Sequence, residues 1–175
     1  MVKWFFFGLI VMAGTVTAQD IKVEYDKNHD FTQYKTFRFG EGEIITPKDQ
    51  RLVSDEHLHA WVRNSVKKEL ELKGLKAVDS AADLTVSYAV GTMARSDAGN
   101  LGPMGLTPGS TERTYMNDYR QANLIIDLND KRNMMVWRIN STTNMSVTDG
   151  EVLIQTIVQK GFQKFAKPVK QKKKK

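Results

Sequence analysis

The chain has 175 residues, 26 Lys and Arg against 20 Asp and Glu, a formal net charge of +6, and no cysteine. Without cysteine it can form no disulfide, thiolate metal site or thiol nucleophile. The basic excess is local: Lys3 and the six lysines of Lys167–Lys175 carry seven charges, and setting those aside takes +6 to −1. The remainder lacks the clustered Lys and Arg with interleaved aromatics that a nucleic-acid surface needs, so nucleic acid is not an expected partner.

Residues 1–18 read as a signal peptide. Lys3 gives the positive start, Trp4 to Ala13 the apolar centre, and Val16 and Ala18 the small residues before a cut at Gln19. The apolar run is about half the ~20 residues of a spanning helix. The reading implies export across the inner membrane to the periplasm or beyond. It also implies no lipid anchor, since no cysteine is available to carry one. What remains suits one domain, 19–166, followed by the lysine-rich tail 167–175, which is expected to be disordered.

Ile21, Val23 and Tyr25 alternate with Lys22 and Glu24, predicting a short strand, and Asp26–Asp30 a polar turn. Phe37 and Phe39 predict a second strand, ended by Gly40 and Gly42. Ser54 with Asp55 and Glu56 then opens a helix. Its stripe is Leu58, Trp61, Val62, Val66 and Leu70, and Gly74 stands at its C-terminal cap. Leu84, Val86, Tyr88 and Val90 alternate as a third strand. Gly91–Arg113, with four further glycines and two prolines, predicts a long connection of the kind that is either functional or disordered.

Tyr115 and Tyr119 begin a strand that runs into Ala122–Ser141, the clearest hairpin of the sequence. In it Leu124, Ile126 and Leu128 alternate, Asn129–Asn133 turn, and Met135, Trp137 and Ile139 resume the pattern. Thr148 with Glu151 forms a capping box, and Leu153, Ile154, Ile157, Val158, Phe162 and Phe165 a helical stripe. Gly161 on that face implies close approach to the sheet, and Pro168 stops the helix. The order β-β-α-β-β-β-α predicts an α+β two-layer sandwich: a mainly antiparallel sheet with two helices on one face.

These pieces resemble the DUF4136 family. The resemblance rests on Tyr25-Asp26, Asp30-Phe31, Tyr34-Lys35-Thr36-Phe37, Leu70 with Lys73-Gly74-Leu75, Ala82–Tyr88, Leu124–Leu128, Val136-Trp137-Arg138 and Phe162–Pro168. It implies a bacterial envelope protein of unassigned function. Members are commonly lipoproteins, and this chain departs from them in having no lipobox cysteine. The resemblance brings no catalytic residues and no cofactor.

No constellation of catalytic residues emerges. His57 and His59 are two apart, where helical metal ligands stand three or four apart, and His29 is remote. Asp26 with Asp30 and Asp127 with Asp130 sit in or beside turns, where aspartate bonds the backbone. There is no nucleophile elbow and no phosphate-binding glycine loop.

Two segments suit interaction instead. Met93, Leu101, Met104 and Leu106 place adaptable apolar groups on the glycine-rich connection. Lys170, Lys172, Lys173, Lys174 and Lys175 suit weak contact with an anionic membrane surface. The expectation is a non-enzymatic binding or structural module of the cell envelope, with no cofactor or metal and an envelope protein, glycan or lipid as partner. The alternative is an envelope hydrolase with an unrecognised site.

Overall fold

The computed structural model describes residues 19–101, 113–145 and 150–166. The signal-peptide reading, Thr148 of the capping box, Pro168 and the lysine tail lie outside them. Six strands and two helices follow in the order β1 (Gln19–Tyr25), β2 (Thr36–Ile44), α1 (Asp55–Leu72), β3 (Lys76–Ala77), β4 (Leu84–Leu101), β5 (Arg113–Asp130), β6 (Met135–Met145) and α2 (Gly150–Gly161). They form an α+β fold with one sheet, ordered β1-β6-β5-β4-β2-β3.

The expected hairpin is the centre of this sheet. β5 and β6 pair antiparallel around a turn at Asp130–Met134, with β1 added to β6 and β4 to β5. β2 departs from that pattern: it runs parallel to β4 and to the two-residue β3. The cause is the connection, because α1 carries the chain back before β4 begins, and a helical crossover delivers the next strand in the same direction.

Alternation along each strand assembles the core in rows. Val86, Leu128, Trp137 and Tyr25 stand side by side across four strands, and so do Tyr88, Ile126, Ile139 and Val23. The helices cover this face alone. Val62, Val66 and Leu70 of α1 and the predicted stripe of α2 are buried against it. Tyr25 stacks on the Trp137 ring at 4.3 Å, and Phe31, Phe162 and Phe165 close round the same ring. The other face carries polar rows such as Glu24, Arg138, Asp127 and Ser87, the two-faced pattern of an antiparallel sheet.

The ends of α1 are made as the sequence predicts. The Ser54 hydroxyl accepts from the His57 N–H. At the other end Gly74 has φ +88°, its N–H donates to Glu71, and the Leu75 N–H reaches back to the Leu70 carbonyl. That is a Schellman termination, with Leu75 buried beside Leu70.

Two glycine readings are corrected. β2 does not end at Gly40 and Gly42 but continues to Ile44 through a register shift between Phe39 and Gly42. The glycines serve packing there, since a Cβ on Gly42 would stand 2.7 Å from Cε2 of the Tyr88 ring. Gly91–Arg113 is not a connection throughout. β4 continues to Leu101 and β5 starts at Arg113, paired residue for residue from Thr92↔Ala122 to Leu101↔Arg113. The ladder of backbone hydrogen bonds to β5 outweighs the low strand preference of the glycines in β4.

Candidate interaction site

The titratable groups singled out in the sequence are held apart by local bonds. Asp26 Oδ1 accepts from the Asn28 N–H at 2.8 Å, and Asp30 Oδ1 from the Thr32 N–H at 2.9 Å and the Thr32 hydroxyl at 2.6 Å. The Thr32 bonds hold the Asp30 carboxyl below its usual range. Asp130 Oδ1 accepts from the Met134 and Arg132 N–H groups, both at 2.9 Å, which lowers its pKa in the same way. Asp127 makes a two-pronged pair with Arg138 across β5 and β6, at 2.7 and 2.6 Å. The Asp127 carboxylate raises the pKa of that guanidinium further. These are turn and cross-strand roles; Asp130 also lines an open cleft of about 520 Å³ beside Asp79, Arg38 and Lys131.

The histidines separate likewise. His29 Nε2 lies 2.7 Å from the Tyr34 hydroxyl, His57 stays with its cap partner Ser54, and His59 Nδ1 lies 2.7 Å from the Tyr88 hydroxyl. Among the described residues no group of three His, Asp or Glu could hold a metal ion. The cavity walled by Leu52, Val53, Leu58, Trp61 and Val90 is apolar and about 60 Å³, room for a water or two.

Sequence reasoning missed two organising residues. Asp83 Oδ2 accepts from the Lys35 N–H at 2.9 Å and from both the N–H and the hydroxyl of Thr36 at 3.0 Å, while Oδ1 meets Lys131 Nζ at 2.8 Å. One carboxylate thus ties the start of β2 to the start of β4 and to the hairpin turn. Arg51 gathers the segment after β2, donating to the Thr46 and Ile44 carbonyls and pairing with Asp55. Nothing in local spacing marks Asp83, whose partners Lys35, Thr36 and Lys131 lie 47 or more residues away along the chain, whereas Arg51 stands four residues before Asp55, a spacing visible in the sequence.

The candidate that gains most from the structure is the extension of β4 and β5. β2 accompanies β4 only to Val90, and β6 accompanies β5 only to Arg120. From Arg95↔Tyr119 to Leu101↔Arg113, seven residue pairs run with no third strand among the described residues. At ~3.4 Å per residue this ribbon reaches about 20 Å past the body of the sheet. Met93 near its base is 43% exposed and Met116 is 62% exposed. Met93 pairs with Gln121 and Met116 with Ala98, so the two methionines occupy opposite faces of the ribbon. Leu101 ends β4, whereas Met104, Leu106 and the tail lysines Lys170, Lys172, Lys173, Lys174 and Lys175 lie outside the described residues.

Solved structures with related folds have low identity to this chain. A PDZ domain protein from Parabacteroides distasonis is 15% identical, with a TM-score of 0.51 over 85% of this chain and 37% of its own. A PelC dodecamer from Paraburkholderia phytofirmans is 9% identical, with a TM-score of 0.49 over 83% and 95%. A DUF4136 family protein from Bacteroides thetaiotaomicron is 14% identical, with a TM-score of 0.44 over 83% and 94%. Among curated proteins none matches the sequence. The sequence pattern of the family described as "Domain of unknown function (DUF4136)" matches residues 21–165, and the chain belongs to that family.

Proposed function

We propose that this chain is an exported, non-enzymatic binding module of the cell envelope, and that the β4–β5 ribbon is its interaction arm. The observation that carries the reading is the seven-pair ribbon, which has no third strand among the described residues. A two-stranded hairpin is marginal by itself in water, and a long one maintained outside the body is best accounted for by a partner that supports it. Exposed methionines on its two faces suit an adaptable contact with a protein surface. The occupation of Asp26, Asp30, Asp127 and Asp130 by turn and cross-strand bonds favours binding over hydrolysis. Export rests on the signal-like residues 1–18.

The test shortens the ribbon. Replacing Ser96–Asp118 by Asn-Gly joins Arg95 to Tyr119 with a two-residue hairpin turn. The expected result is an unchanged melting temperature together with loss of the protein crosslinks formed by the full chain in intact cells. Crosslinks that persist with the same partners would overturn the arm. An intact mass that retains Met1–Ala18 in the cell would overturn the export step.

A further inference from the structure

The two edges of the sheet are built differently. β3 covers β2 only at Thr36 and Phe37, and past that point β2 is bulged between Phe39 and Gly42. A bulge interrupts the regular row of N–H and C=O groups that an incoming strand requires, and so guards that edge. β1 at the opposite edge pairs with β6 without a break from Gln19 to Tyr25, and contains no proline. Its outer row of backbone groups faces no strand among the described residues.

The two faces of β1 carry different chemistry. Ile21, Val23 and Tyr25 are half-buried and end the core rows, so that Ile126, Ile139 and Val23 stand in one line across three strands. They floor a groove of about 500 Å³ walled on its far side by the end of α2. The other face holds Asp20, Lys22 and Glu24, all exposed and alternating in sign. Lys22 meets Asp20 at 3.6 Å, an exposed pair with little hold on either side chain.

That alternation makes the strand complementary to itself. Opposed residues of an antiparallel pair share a face, so a second β1 fits only in registers that match apolar positions with apolar and charged with charged. With Lys22 opposite the partner's Lys22, Asp20 would meet the partner's Glu24, and every charged pair would repel. With Val23 opposite the partner's Val23, Lys22 meets the partner's Glu24 and, by the two-fold symmetry, Glu24 meets the partner's Lys22. That register also sets Ile21 beside the partner's Tyr25, and carries the row of Ile126, Ile139 and Val23 on into the same row of the second copy. Each copy thereby covers the half-buried floor of the other. Centring the pair on Ile21 instead leaves Glu24 and Tyr25 with no β1 residue opposite.

We propose that two copies of this chain join through β1, antiparallel, with Val23 at the two-fold axis, to make one continuous sheet. The pairing uses the open edge of both copies, and the bulged β2 edge guards the sheet on either side, so the assembly closes at two. Five residues a side make a small interface, with a dissociation constant on the order of tens of micromolar. This rests on the β1 edge and not on the β4–β5 ribbon.

Sedimentation equilibrium of the purified full chain, from about 5 to 500 μM, should show a reversible monomer–dimer equilibrium. Lys22→Glu and Glu24→Lys each set like charges opposite one another twice per interface, and each should weaken dimerisation at least about tenfold. The double variant Lys22→Glu/Glu24→Lys should regain the parent's affinity to within about threefold, and an equimolar mixture of the two single variants should dimerise where neither does alone. These positions are exposed, so all three variants should melt as the parent does. Cysteine supplies a second measurement, because the chain has none of its own. Val23→Cys meets itself at the axis and should oxidise to a covalent dimer at least about tenfold faster than Ile21→Cys, which meets the partner's Tyr25. A parent that stays monomeric at the highest concentration would overturn the proposal. So would single variants that dimerise as the parent does, which would assign the contact to another surface. Failure of both the double variant and the mixture to dimerise, or faster crosslinking through Ile21→Cys, would overturn it equally.

Discussion

Gly161 of α2 lies against Ile139 of β6 so closely that a Cβ on the glycine would stand 2.8 Å from both Cγ1 and Cγ2 of the isoleucine, and nearer still to Cδ1. Ile139 is fully buried at the centre of the sheet and has nowhere to swing. Gly161→Ala should therefore push α2 off the sheet and destabilise by about 1–3 kcal/mol, although alanine favours the helix. Urea unfolding monitored by Trp fluorescence checks this. Ile139→Val in the same chain should recover part of the loss, giving a favourable coupling energy between the two sites.

Asp83 makes a second prediction because its bonds join three segments. The Lys131 ammonium first, and the Lys35 N–H next, hold its carboxyl well below the ordinary carboxylate value. A pKa lowered in the folded state gives stability that is present above the unfolded value of about 4 and is lost as pH falls through the folded one. Asp30 and Asp130 are shifted in the same direction. Asp83→Asn should cost about 1–2 kcal/mol at neutral pH by leaving backbone donors poorly matched. It should also flatten, without abolishing, the fall of stability below about pH 4. Urea midpoints measured from neutral pH into acid give both numbers. A mutant with the parent's acid slope would show that Asp83 contributes nothing to it.

The helices were the most legible part of the chain. Ser54 and Gly74 cap α1 through local hydrogen bonds, and the stripe from Leu153 to Phe165 is a periodic signal that packing preserves. The central hairpin was legible for the same reason, since alternation and an Asp-Lys-Arg-Asn turn act within a few residues. The course of β2 was not. Gly40 and Gly42 look like a stop, and only the ring of Tyr88, 46 positions after Gly42, explains why glycine is required inside the strand. The ribbon was hidden likewise. Gly99 and the small polar residues around it carry no strand signal, and their pairing comes from the partner strand rather than from their own preferences. Which strands lie at the sheet edges is set by long-range pairing, which local pattern cannot tell.

Gly42 supplies a third prediction. The Tyr88 ring fills the space that its Cβ would occupy, and the Tyr88 hydroxyl lies 2.7 Å from His59 Nδ1 on α1. Gly42→Ala should displace that ring, break the bond between β4 and α1, and destabilise by about 2–3 kcal/mol. Tyr88→Phe removes the hydroxyl alone and should cost about 1 kcal/mol. If both variants cost the same, the ring has room that the packing denies it, and the glycine serves some purpose other than admitting Tyr88.

The ribbon should be the first part of the sheet to open. Residues Leu84–Val90 of β4 lie between two strands and beneath α1, and their core-side chains are buried. Residues Arg95–Leu101 have β5 on one side and no strand on the other among the described residues. Local opening there breaks only a two-stranded ladder, so its free energy falls well below that of global unfolding. Amide hydrogens of Arg95–Leu101 should exchange at least about tenfold faster than those of Leu84–Val90, measured by mass spectrometry on the isolated chain. Addition of a partner that grips the ribbon should slow exchange in the first group and leave the second unchanged. Protection in the isolated chain equal to that of Leu84–Val90 would mean that the ribbon is supported from within, and the need for an outside partner would disappear with it.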